Sequence, residues 1–232
     1  MRSLSLFLVA LLGLLCSSLQ AQNAGREHII ISGGVSLMQW EKYKAQPHDN
    51  WWMNFVRAAR IRIQQIKEES PGEPITWLVF KPSYVTRARE DSNNLLSHID
   101  SVKDAYDVKL VFFDRTAQLI DYLNNGQPRD RVKIATLEYF GHSNKACFLF
   151  DYSNNIDSAS KVWLHESELK QIRRGIFAKN AFVKSWGCHT GESMSKKWSA
   201  ATGVKMIGAV GKTQYMTHEL PIISTPGGRW VR

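Results

Sequence analysis

The chain has 232 residues, a formal net charge of +9 and 44% hydrophobic residues, proportions ordinary for a globular protein, with no low-complexity tract or internal repeat. Those values exclude a disordered or fibrous chain. The 30 Lys and Arg residues are spread along the sequence rather than run together, which reads as solvated faces and not as a nucleic-acid surface.

Arg2 is the one charge in the first two dozen residues; an apolar stretch over 4–16 follows, and the small and polar run Ser17-Ser18-Leu19-Gln20-Ala21 closes it. That order is the order of a signal peptide, here residues 1–21, with cleavage after Ala21 or Ala24. The apolar stretch is shorter than the roughly 20 residues of a membrane-spanning helix, and no later segment is apolar for long enough. The sequence therefore predicts a secreted or periplasmic protein with no membrane anchor after processing, its residues 25–232 forming a single α/β domain.

Beyond the leader, short β-rich runs alternate with segments of helical period, the mark of a mainly parallel sheet covered by helices on both faces. The runs are 28–32, 75–80, 108–113, 133–140, 181–186 and 204–210, which predicts six strands. A helix capped by Asn50 places Trp52, Phe55, Val56, Ala59, Ile63 and Ile66 on one face and stops at Pro71-Gly72. A second begins at Asp91 or Ser92 with the stripe Leu95, Ile99, Val102 and Tyr106. A third runs from Thr116 through Leu119, Ile120 and Leu123 to a stop at Asn125-Gly126. After the fourth run, Cys147-Phe148-Leu149-Phe150 predicts a short extra strand and 151–161 a polar loop. A helix over 164–173 returns the chain to the fifth strand, and another over 191–201, with Met194, Trp198 and Ala201 inward, leads to the sixth. Pro221, Pro226 and Gly227-Gly228 predict an irregular tail after Gly211.

Ligands of an open parallel sheet bind beyond the carboxyl ends of its strands. The fourth strand runs into Gly141-His142-Ser143-Asn144 and the fifth into Gly187-Cys188-His189-Thr190-Gly191, so neighbouring fourth and fifth strands bring His142 and Cys188 face to face. A thiol ahead of a helix beginning near Gly191 gains from the unpaired amides of its first turn. An imidazole beside it can pair with the thiolate and then protonate a leaving amine. Gly187 allows close backbone approach, and the Cys188 amide is a natural oxyanion donor.

An apolar strand ending in a histidine and, some four dozen residues on, an apolar strand ending in Gly-Cys resembles the caspase-like cysteine peptidases, a group that includes legumain-like, gingipain-like and CHAT-type domains. The segment Cys188-His189-Thr190-Gly191 is similar to CHAT-type domains in particular. The resemblance covers 133–210 and implies a caspase-haemoglobinase-like three-layer sandwich. It also implies a dyad of Cys188 as nucleophile and His142 as general acid and base, peptide or protein substrates, and no cofactor or metal. The residue after the histidine, a glycine in that family, is Ser143 here, and its amide takes the oxyanion role. The acidic residues Asp151, Glu192 and Glu219 are the candidates for a substrate pocket.

Several competing readings come from the same residues. Cys147 and Cys188, the two cysteines of the mature chain, could form a disulfide in an oxidising compartment and leave a catalytically silent binding protein. His142, Cys147, Cys188 and His189 could ligate zinc, although no pair has zinc-finger spacing. Gly141-His142-Ser143 lacks the closing glycine and the following helix of a nucleophile elbow. Ser32-Gly33-Gly34 lacks the third glycine of a dinucleotide fingerprint and reads as a tight turn.

Overall fold

A computed structural model describes residues 25–35, 53–151 and 160–232. The leader, Asn50 and Trp52 lie outside them. The central sheet has seven strands in the order β12-β9-β8-β4-β1-β2-β3. These are β1 (Gly25–Ser32), β2 (Ile75–Phe80), β3 (Lys109–Phe113), β4 (Val132–Phe140), β8 (Phe177–Ser185), β9 (Met206–Val210) and β12 (Arg229–Val231). All neighbours are parallel except β12, which pairs antiparallel with β9. The sequence predicted six strands; the seventh is an edge strand of three residues too short to show a period.

Alternate residues of the central strands feed two cores. Ile29 and Ile31 of β1, Leu78 and Phe80 of β2 and Leu137 and Tyr139 of β4 enter one. Ile30, Trp77, Val79 and Phe140 enter the other. Helix α1 (Asn54–Glu69) covers the second face with Phe55, Val56, Ala59, Ile63 and Ile66, helped by α2 (Lys81–Glu90) through Tyr84 and α3 (Leu95–Tyr106) through Leu95, Ile99 and Val102. Helix α4 (Thr116–Asn125) and α5 (Met194–Thr202) cover the first through Leu119, Leu123, Met194 and Trp198. Fully burying one such side chain contributes about 1.5–3 kcal/mol, so the two cores dominate the stability of the domain.

The chain runs outward from β1 to β2 and β3, then returns past β1 to β4, β8 and β9. Between β1 and β4 the order reverses, the position in an open parallel sheet at whose carboxyl end ligands are commonly held. Loops tie that point together: the Gly33 amide donates to the Phe140 carbonyl at 2.8 Å and the Gly34 amide to that of Phe150 at 2.9 Å.

A small antiparallel sheet of β5 (His142–Ser143), β6 (Cys147–Leu149) and β7 (Trp163–His165) lies over the first core, with Phe148 and Leu164 inside it. The predicted extra strand is β6. The predicted helix over 164–173 is not formed: β7 pairs with β6, and Leu169–Gln171 make a single 3₁₀ turn. Its leucines and Ile172 are buried as the helical period suggested, but pairing with β6 claims the backbone of 163–165.

Other expectations shift at their ends. The second predicted helix begins later than Asp91 or Ser92, at Leu95, because Ser92 takes a left-handed φ of 49° and the Asn94 side chain accepts the Ser97 amide to cap α3. The helix expected from Gly191 begins at Met194 instead. The Gly191 amide is bound by the Ala209 carbonyl at 2.8 Å, and a Cβ on Gly191 would come within 2.7 Å of the Gly208 carbonyl oxygen. The tail expected to be irregular holds β12 and a hairpin of β10 (Thr213–Gln214) with β11 (Ile222–Ile223).

Candidate functional site

β4 and β8 are adjacent and in register from Thr136 opposite Phe182 to Tyr139 opposite Ser185, and the Trp186 amide extends the ladder to the Tyr139 carbonyl at 2.9 Å. His142 and Cys188 follow on neighbouring loops at the same edge of the sheet. The loops are joined directly, since the Ser143 hydroxyl donates to the Cys188 carbonyl at 2.7 Å. Gly187 makes that approach possible: a Cβ there would overlap Ser143 Oγ and lie 2.9 Å from the Gly141 carbonyl oxygen.

His142 is half-buried, its ring edge-on to Phe55 with centroids 5.0 Å apart. Its carbonyl accepts the Tyr139 hydroxyl at 2.6 Å, a bond that fixes the turn between β4 and β5. Tyr215 supports the same turn from the other side; its hydroxyl accepts the Gly141 amide at 2.8 Å, and its ring packs on Phe55 at 4.9 Å. Ser143 stands opposite Phe148 in the β5–β6 pair, one step from the bonded pair closed by the Asn144 amide on the Cys147 carbonyl. In an antiparallel ladder that step directs the Ser143 amide away from β6.

Cys188 is half-buried and sits against β10. The Thr213 amide donates to Sγ at 3.4 Å, and the Thr213 hydroxyl, 3.6 Å from Sγ, donates to the Trp186 carbonyl at 2.8 Å. The first turn of the helix expected near Gly191 does not reach Cys188. Cys188 lies six residues ahead of α5, whose Met194 and Ser195 amides are taken by the carbonyls of Lys145 and Thr190. The Gly187 amide is also engaged, 3.3 Å from Ser185 Oγ. Thr213, Tyr215 and Phe55 were not singled out as site residues from sequence. Phe55 read as one more core position on a helical stripe, and the segment after Gly211 carried no usable period.

His189 holds a left-handed φ of 62° and turns away into a local bond, Nδ1 to Glu192 Oε1 at 2.6 Å, while the Gly211 amide donates to the same carboxylate oxygen at 3.1 Å. The His189 hydrogen bond holds the Glu192 carboxyl below the usual glutamate range. A surface cleft of about 480 Å³ lies between the segment 144–147, which follows Ser143, and His189 and Glu192, which follow Cys188, with His165 on its far wall. Of the other acidic candidates, Asp151 is buried and Glu219 is exposed.

Cys147 and Cys188 are both free, so the bridge that a silent binding protein would use is not formed. Burial, reinforced by Glu166 and Glu168, pushes the Cys147 thiol up. Among the described residues no group of three or more His, Cys, Asp and Glu side chains is arranged to hold a metal ion, and no helix is long and apolar enough to cross a membrane.

A second polar cluster lies beneath the site. Glu138 of β4 is fully buried, bound by Arg62 Nε at 2.5 Å and Trp186 Nε1 at 2.7 Å. Burial pushes its carboxyl up against the opposing pull of Arg62. Lys184 lies between the Trp186 and Trp230 rings, its Nζ 3.3 and 4.0 Å from their centroids. Burial lowers that amine to about 8.

Compared with known proteins, the chain matches no protein-family model, no curated protein and no solved structure.

Proposed function

We propose that the chain is an exported cysteine peptidase-like hydrolase acting on peptide amides, with Cys188 as nucleophile and His142 as general acid and base. The observation that carries the reading is the placement of this thiol and this imidazole on locked neighbouring loops at the carboxyl edge of a parallel sheet, beside the point where strand order reverses. The caspase-like resemblance of 133–210 supports it, and so does the cleft beside the two loops, where a substrate side chain would sit.

In the first half-reaction His142 takes the Cys188 proton and Sγ attacks the amide carbonyl. The oxyanion so formed is held by the amides of Ser143 and Cys188. Collapse breaks the C–N bond, the imidazolium gives its proton to the departing amine, and a thioester remains on Sγ. In the second, water gives a proton to His142 and its oxygen to the acyl carbon; the thiol leaves with the proton returned. The test is a set of peptide acyloxymethyl ketones differing at the residue beside the warhead. A thioether confined to Cys188, and lost in His142→Ala, is the expected result. Labelling of Cys147 instead, or labelling indifferent to His142, would overturn the assignment.

A further inference from the structure

β10 and the residue just beyond it bring two side chains, Thr213 and Tyr215, against the two halves of the site. Tyr215 braces the turn that carries His142, through its bond to the Gly141 amide and its ring on Phe55. Thr213 touches the sulfur itself. It is almost completely buried, 1% exposed, and its strand is pinned on both sides. The Thr213–Gln214 pair is bound to Ile222–Ile223, and the Lys212 amide donates to Thr225 Oγ1 at 2.7 Å.

We propose that Thr213 is a thiolate-stabilising residue of this site, its amide and, on ionisation, its hydroxyl both donating to Cys188 Sγ. The inference rests on the assignment of Cys188 as nucleophile. A hydroxyl has one hydrogen, and in the resting thiol that hydrogen goes to the Trp186 carbonyl. Oγ1 then presents a lone pair to Sγ, 3.6 Å away, and the thiol hydrogen is within reach of both that oxygen and the Thr213 carbonyl at 3.9 Å. When His142 removes the thiol proton, rotation about the Thr213 C–O bond turns the hydroxyl hydrogen from the carbonyl to the sulfur. No proton is transferred in that step, and the amide donates to Sγ throughout. A donor aimed at an anion is worth more than one aimed at a neutral acceptor, so the exchange favours the ionised form. The ionisable groups nearby are His142 on the loop after β4, His189 and Glu192 on the loop of Cys188 itself, and Lys212 beside Thr213; none is changed in the Thr213 variants.

The test uses the mature protein and iodoacetamide, with adducts at Cys188 and Cys147 quantified separately by mass spectrometry from pH 5 to 10. Thr213→Val keeps the shape and the amide and removes the hydroxyl. It is expected to slow Cys188 alkylation near neutral pH about fivefold, to move the midpoint of its profile to higher pH and to leave the alkaline plateau within about twofold. Thr213→Ser is expected to retain the wild-type profile. The rate at Cys147 reports on the fold. If it rises in Thr213→Val, the comparison of Thr213→Ala with Thr213→Ser decides in its place, alanine behaving as expected for valine. Coincident Cys188 profiles with and without the hydroxyl would overturn the role of Thr213, even where His142→Ala still slows the reaction and the nucleophile assignment stands. A shift on removing the hydroxyl with no effect of His142→Ala would leave Thr213 as a thiolate donor and defeat the peptidase reading.

Discussion

At the residue scale, the two cysteines have opposite surroundings. Cys188 receives an amide hydrogen bond on its sulfur, whereas Cys147 is pushed up by burial and faces the negative field of Glu166 and Glu168. Because the thiolate is the reactive form, iodoacetamide at pH 7 is expected to modify Cys188 at least about tenfold faster than Cys147, a ratio that adduct masses measure directly. His142→Ala should reduce that ratio more at pH 6–7 than at pH 9, where the thiol ionises unaided. Equal rates at both cysteines would mark Cys188 as a structural thiol. The position of His142 and Cys188 beyond neighbouring strands at one edge of the sheet was legible in the sequence because a β-rich run ends at each. Thr213 was not, since its position depends on antiparallel pairing with 222–223, a contact between two-residue strands with no pattern to read. The predicted help from a helix at Gly191 failed for a related reason: the close crossing of Gly191 and Gly208 backbones is a tertiary fact.

At the scale of elements, polar groups buried inside the sheet bind the layers to one another. Glu138 joins β4 to α1 through Arg62 and, through Trp186, to the loop that follows β8. Removing one partner of a buried ion pair strands the other, so Arg62→Ala is expected to cost about 3–5 kcal/mol of unfolding free energy, measurable by urea denaturation. A loss under about 1 kcal/mol would show that water reaches Glu138. Consecutive arginines close two helices on the opposite face, Arg173 on the Asn124 carbonyl at the end of α4 and Arg174 on those of Ala200 and Ala201 at the end of α5, where cations also meet the negative helix terminus.

Lys184 supplies a pH dependence whose sign follows from its lowered value of about 8 against an ordinary 10.5. Between those values the unfolded chain holds more protons than the folded one, so this residue makes stability rise with pH across that window. The two indole faces favour the cation and temper the rise. The difference in unfolding free energy between wild type and Lys184→Met should therefore grow in favour of wild type from pH 7.5 to 10. A difference that is flat or falls would mean that the rings outweigh desolvation. Helix α2, by contrast, was invisible in the sequence. It buries Tyr84 with Ser83 and Arg87, and so mixed a face carries no apolar stripe.

For the whole molecule, the order of burial along the chain was the readable part. β2, buried at all six positions, was bounded correctly as 75–80 because a doubly covered strand is a continuous apolar run. The return of the chain past β1 to β4 was not spelled out in any local pattern, yet His142 follows the strand at which the order reverses and Cys188 the strand next to it. The proposed export belongs to this scale too. The order of charge, apolar stretch and small residues in 1–24 predicts mature protein beginning at Gln22 or Gly25, and an intact N-terminus on material recovered outside the cytoplasm would contradict it. We propose hydrolysis at Cys188, and turnover of a mixed peptide-amide library by the protein, read by mass spectrometry of the products, tests it. Cleavage at a restricted set of residues by the wild type, and none by Cys188→Ala folded to the same stability, is expected. Cleavage that persists in Cys188→Ala, or its absence from wild type whose Cys188 is fully alkylatable, would contradict it.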